Sequence, residues 1–238
     1  MSDPEFPSPS RWAQARQGFY DILPPMLACI PIALVYGAIS ATKGLSVAET
    51  ALASAIVFAG GAQFAGVELW ASPPPILALF ISTLLINARH SLMGLSLRPK
   101  TRWGRAWPFA VFFMADEIWA MAERRASRQP VTLAYWFGEA APFYVCWVGF
   151  SALGAAAGSL LGDPKALGAD FAFTALFVGL VAGFWKGRST AVVVIAAALA
   201  AALAYVTLGS PWHVLAGAVA GMAGAAMIAP SQAGRAAA

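Results

Sequence analysis

The chain has 238 residues, of which 60% are hydrophobic and only 11% charged, with a formal net charge of +4. An ordinary soluble domain carries about 25% charged residues, so the composition excludes one and indicates an integral membrane protein. The excess Lys and Arg lies in short loops between apolar runs, where it reports orientation, and this excludes nucleic acid as a partner.

Residues 1–16 are rich in Pro and Ser and read as a disordered cytoplasmic tail. Acids precede the arginines, which is not the basic-then-apolar order of a cleaved signal, so the first apolar segment is expected to act as its own insertion signal. A single membrane domain is expected over 17–230 and a second disordered tail over 231–238. Eight apolar segments follow in order, near 18–41, 47–70, 75–97, 106–122, 132–161, 169–185, 190–208 and 212–229. Most approach the 20 residues or so that a helix needs to cross about 30 Å of hydrocarbon. The expectation is an all-α, polytopic helical bundle with six to eight full crossings and some helices broken or re-entrant. Small residues four apart, Gly154 with Gly158 and Gly217 with Gly221, predict close helix packing.

Loop charges bear on the number of crossings. If all eight segments cross, Arg11, Arg16, Arg124, Arg125, Arg128, Lys186, Arg188 and Arg235 share one side. Lys43, Arg98, Lys100, Arg102, Arg105 and Lys165 then share the other, a poor bias. If segment four and one of the two segments before it dip in and return, only Lys43 and Lys165 remain opposite the rest. Gly60-Gly61 in segment two and Asp116-Glu117 in the short segment four make these the suspects, because broken backbone is tolerated where it lines a buried or wet cavity. Both termini are expected to be cytoplasmic. An internal echo pairs Pro25, Cys29 and Gly37 with Pro142, Cys146 and Gly154, and a second, at a different offset, pairs residues 61–65 with 168–172.

Polar residues inside these runs are the candidates for function, since a charge at the bilayer centre costs roughly 2.5–3.5 kcal/mol on insertion scales. Gln63, Glu68, Asn87, Arg89 and His90 crowd segments two and three. At 100° per residue Thr83, Asn87 and His90 form one stripe and Ser82, Arg89 and Ser96 another, so either Arg89 finds its own partner or the helix is interrupted near Asn87–Arg89. Arg89 either snorkels towards the Arg98–Arg105 cluster or forms an ion pair within the bundle, with Asp116 as the expected partner. Glu68 reads as interfacial, Asp170 as an acid at a helix start, Glu123 as solvated beside Arg124 and Arg125, and Glu139 as deeper than these. Trp70, Trp103, Trp107, Trp185 and Trp212 read as interfacial anchors. Cys29 and Cys146 lie alone in apolar runs, so no disulfide, metal site or cofactor is expected.

Four separated blocks carry a resemblance: SAIVFAGGAQFAGVELW from Ser54, LLINARHSLMG from Leu84, MADEIWA from Met114 and GADFAFTALF from Gly168. In order and spacing, over about residues 15–230, they resemble the AzlC-type branched-chain amino-acid permeases, the large subunit of a two-component exporter. The resemblance implies export of valine, leucine, isoleucine or methionine across a bacterial inner membrane, together with a small AzlD-type membrane subunit. It fixes no catalytic residues. The residues suit such a substrate: a zwitterion needs a cationic or helix-N-terminal site for its carboxylate, an acceptor for its ammonium and an apolar pocket. Gly60, Gly61, Gln63, Phe64, Asn87 and Arg89 are the candidates for substrate binding, and His90, Asp116 and Glu117 for carrying a coupling proton or forming an ion pair. Phe58, Phe64, Phe112 and Phe113 could form the apolar wall. Two rivals are a passive channel for small zwitterionic solutes and an intramembrane enzyme using His90 and Asp116. No nucleophile elbow, metal triad or paired-carboxylate spacing supports the enzyme.

Overall fold

A computed structural model describes residues 10–158, 178, 181–182, 185–209 and 212–228. The described residues are almost entirely helical and form no strand beyond one isolated bridge, Thr101 with Val131. They fall into two units, residues 1–60 with 90–173, and residues 61–89 with 174–238.

The first unit is built on two long helices. Helix α1, Arg11–Thr42, starts where Ser10 Oγ accepts from the Ala13 amide (3.2 Å), and it carries Pro24, Pro25 and Pro31. Residues 11–16, expected in the N-terminal tail, are helical and belong to α1. Helix α7, Leu133–Ala157, is capped by Thr132 and contains Pro142. The two run parallel with their backbones in contact at both ends. A Cβ on Gly37 would lie 2.0 Å from the Ser151 carbonyl oxygen, and one on Gly154 would lie 2.1 Å from that of Leu34. At the other end Gly18 meets the Tyr135 oxygen (2.3 Å) and Gly138 the Ala15 oxygen (2.2 Å). The contacts are reciprocal: the glycine of each helix sits on the carbonyl three residues before the glycine of the other. The echo of Gly37 in Gly154 is thus a physical pairing of two equivalent helices.

Around this pair lie three shorter helices. Helix α2, Val47–Val57, begins in a capping box in which Ser46 Oγ accepts from the Glu49 amide (3.2 Å) and Glu49 Oε2 accepts from the Ser46 amide (2.8 Å). It stops at Phe58, which is left-handed (φ 41°). Segment four is two helices, α5 over Trp107–Phe112 and α6 over Asp116–Ala126. Asp116 and Glu117 therefore open α6 after a break, and do not lie in mid-helix as expected. Trp103 Nε1 donates to the Val131 oxygen (2.9 Å) and Trp136 Nε1 to that of Ala110 (3.0 Å). The first bond, with the Thr101–Val131 bridge, holds the loop before α5 against the loop after α6, so the chain leaves and returns at one end of the unit, and the second holds α5 against α7. Trp103 is buried against Trp107 and Trp136, with ring centroids 5.0 and 4.8 Å away, and is a core residue where an interfacial anchor was expected.

In the second unit, Gly60 starts helix α3, Gly60–Leu69, at the boundary, and α4 runs over Ile76–Leu97 with its last turns in the first unit. Helix α4 is continuous, which removes one of the two alternatives, an interruption near Asn87–Arg89: the run has no Gly or Pro there to break it. Helices α8, Arg188–Leu208, and α9, Trp212–Ile228, pack through small residues. A Cβ on Gly217 would lie 3.2 Å from both the Ala197 oxygen and Ala201 Cβ. The outer face of α8 exposes Ile195, Leu199, Leu203 and Val206, and that of α9 exposes Val219, Met222 and Met227.

Among the described residues, four helices are long and apolar enough to cross a membrane: Arg11–Thr42, Ile76–Lys100, Leu133–Ala157 and Arg188–Leu208. Segments one, three, five and seven are thus single long helices, and two and four are broken. Segment six, with Asp170, and the 231–238 tail lie almost wholly or wholly outside the described residues.

Candidate functional site

The break between α2 and α3 is the feature that positions polar groups. The chain leaves α2 through left-handed Phe58, passes Ala59, and starts α3 at Gly60-Gly61, so the first amides of α3 have no preceding turn to bond. Within the second unit the Arg89 guanidinium lies against this helix start. A Cβ on Gly61 would be 3.4 and 3.8 Å from its two terminal nitrogens, and 3.6 Å from Ile86. Gly61 and Arg89, both expected at the substrate site, are therefore brought together. Gln63, one turn on, is buried at 5% exposure, and Phe64 follows it half-buried. A guanidinium beside the positive end of a helix is a site for a carboxylate, since both direct N–H donors and partial positive charge at one point.

Asn87 is turned elsewhere. With Thr83 it lines an open groove of about 600 Å³ walled by Trp70, Leu79 and Phe80. The two stripes of α4 thus diverge as 100° spacing requires, and Asn87 does not share the Arg89 face.

In the first unit, Glu117 is buried and its Oε1 accepts from Cys29 Sγ (3.6 Å), while Asp116 and His90 are half-buried. Two of the expected apolar residues converge. Phe58, at one break, and Phe113, at the other, both pack edge-on against Tyr144, with ring centroids 4.9 and 5.2 Å away. The Tyr144 hydroxyl donates to the Ala55 oxygen (3.0 Å) and ties the end of α2 to α7. Phe112 is half exposed.

Two loop charges differ from expectation. Glu123 accepts from Ser96 Oγ (2.6 Å) and pairs with Lys100, and Trp119 Nε1 donates to Ser96 Oγ (2.9 Å), so its partners come from the end of α4 and not from Arg124 or Arg125. Arg125 is 7% exposed: it donates to Gln17 Oε1 (2.7 Å) and the Pro130 oxygen (3.3 Å) and lies 4.0 Å over the Tyr135 ring. Sequence reasoning missed this residue, because its side-chain hydrogen-bond partner Gln17 is 108 positions away. Glu139 is fully buried, as its depth suggested. Arg11, Lys100, Arg102 and Arg128 line a basic groove of about 1440 Å³ at the same end of the unit. Among the described residues no three His, Cys, Asp or Glu side chains come close enough to hold a metal ion.

Long apolar helices interrupted by two broken ones, with a guanidinium at a helix start, define a polytopic helical membrane protein. The chain belongs to the AzlC family, whose model, described as AzlC protein, matches residues 24–161. It is 33% identical to an uncharacterized membrane protein of Archaeoglobus fulgidus, over 84% of this chain and 90% of that one. It is 32% identical to the inner membrane protein YgaZ of Escherichia coli, over 86% of each, and 28% identical to the branched-chain amino acid transport protein AzlC of Bacillus subtilis, over 73% and 69%. No solved structure matches the chain.

Proposed function

We propose that the chain is the large subunit of an exporter of the branched-chain amino acids valine, leucine and isoleucine, and of methionine, driven by the proton gradient. The Arg89 guanidinium at the α3 start carries this reading, because a guanidinium beside the positive end of a helix suits a substrate carboxylate. The name of the Bacillus subtilis relative supports the substrate class. Gly60, Gly61, Gln63 and Phe64 shape the carboxylate end, and Asn87 borders the apolar groove. His90, Asp116 and Glu117 are the polar groups at the start of α6 and the end of α4 from which a coupling proton could be drawn.

The two broken segments are read as re-entrant, which collects the Arg98–Arg105 and Arg124–Arg128 cations on the cytoplasmic side with both termini. The exposed apolar faces of α8 and α9 are assigned to lipid and to a small AzlD-type membrane subunit. Counterflow of labelled valine in proteoliposomes tests the function. A carrier shows trans-stimulation, a passive channel shows none, and an intramembrane enzyme turns valine into a new product.

A further inference from the structure

Glu139 lies on α7 about 10 Å along the helix from its first residue, fully shielded from solvent, and neither carboxyl oxygen has a hydrogen-bond partner. The shielding is built by close backbone contact: a Cβ on Gly18 of α1 would stand 3.1 Å from the Glu139 amide nitrogen. Tyr135 is one turn back on the same face of α7, and its hydroxyl donates to Asp21 Oδ2 of α1 (2.8 Å). Asp21 is half-buried, whereas Glu139 is sealed. From α6, Arg125 covers the Tyr135 ring at 4.0 Å and is fixed by Gln17. The charged neighbours of Glu139 are Asp21 and Arg125. Of the other helices packed on α7, α5 carries no titratable residue, the only acid of α2 is the exposed capping Glu49, and Glu117 of α6 faces Cys29.

An ionisable side chain sealed within a membrane helix pair and left without a hydrogen bond is costly to keep for structure alone. We propose that Glu139, Tyr135 and Asp21 form the proton-carrying site of this transporter, with Arg125 as the fixed countercharge. Once its carboxyl turns to within hydrogen-bond reach of the Tyr135 oxygen, Glu139 passes its proton there as the Tyr135 hydroxyl proton moves to the Asp21 carboxylate. One proton is transferred, one negative charge moves the opposite way, and no electrons change hands. Asp21 exchanges with water at the end of the unit where α1 and α7 begin, and Glu139 is released on the other side only when α1 and α7 shift.

The inference rests on proton-coupled transport, so the test separates the two. Wild type and Glu139→Gln, each reconstituted with the small subunit, are compared for valine counterflow and for valine accumulation driven by an imposed pH difference. Retained counterflow with loss of pH-driven accumulation in Glu139→Gln is expected, since exchange of substrate for substrate needs no net proton movement. Absence of counterflow in wild type defeats the transport reading itself. Counterflow without pH-driven accumulation in wild type defeats proton coupling, and with it this site. Glu139→Gln that keeps both activities, or that is folded and loses both, overturns the proposal. If Glu139→Gln does not reach the membrane, Tyr135→Phe decides: it keeps the ring under Arg125 and removes the bridging hydroxyl, so pH-driven accumulation should be lost while counterflow remains, and unchanged accumulation refutes the relay.

Discussion

Arg89 is the residue on which the substrate reading turns. A hydrogen bond to a charged group contributes about 1.5–3 kcal/mol, so Arg89→Ala should weaken apparent valine affinity in counterflow by roughly 10- to 100-fold. Arg89→Lys should fall between, because an ammonium cannot hold a carboxylate bidentately. Unchanged affinity in Arg89→Ala would place the carboxylate elsewhere. Lys100 makes the opposite case. Its pair with Glu123 is 39% exposed on the Lys side, and exposed pairs contribute under about 1 kcal/mol. Lys100→Ala should therefore leave the melting temperature in detergent nearly unchanged. A large drop would show that the hydrogen bonds joining Ser96, Glu123 and Trp119 depend on the lysine.

The α1–α7 pair sets what the elements tolerate. At Gly37 and Gly154 a methyl group would stand about 2 Å from a backbone carbonyl of the other helix, which no rotamer can relieve. Gly37→Ala and Gly154→Ala should each cost at least the 1–3 kcal/mol or so typical of overpacking, and by similar amounts, because the contacts are reciprocal. Gly94 and Gly149 have nothing within 4 Å of an added Cβ, so alanine there should be neutral to stabilising. Thermal unfolding of the four variants checks both statements, and equal effects at all four would refute the packing argument. The breaks are elements of the same kind. Phe58 holds a left-handed backbone at a cost of roughly 1–2 kcal/mol, and its ring against Phe143 and Tyr144 offsets that cost.

For the whole molecule, the first unit joins the loops on either side of α5 and α6 through the Thr101–Val131 bridge and the Trp103 indole. After replacement of Cys29 and Cys146, single cysteines at Thr101 and Ser127 should be labelled from the same, cytoplasmic, side of the membrane. Opposite accessibility would refute the re-entrant reading of segment four. Expression without the small subunit should leave valine export near background, and full export by this chain alone would refute an obligate partner.

Hydropathy by itself determined that the chain lies in lipid, that its long segments are helices, and where two of them are weak, because a bilayer demands runs of a set length and Gly60-Gly61 or a short segment leaves a local mark. The candidate residues Arg89 and Gln63 stood out for the same reason: both are anomalous in apolar runs whatever they touch. The tertiary structure decided what those marks could not. Arg125 is joined to Gln17 across 108 positions and Tyr135 to Asp21 across 114, so neither partner is visible in a local pattern, and a loop arginine became a buried countercharge. Whether an isolated glutamate such as Glu139 is solvated or sealed depends on how closely α1 approaches α7, and that approach is set by glycines on both helices acting together.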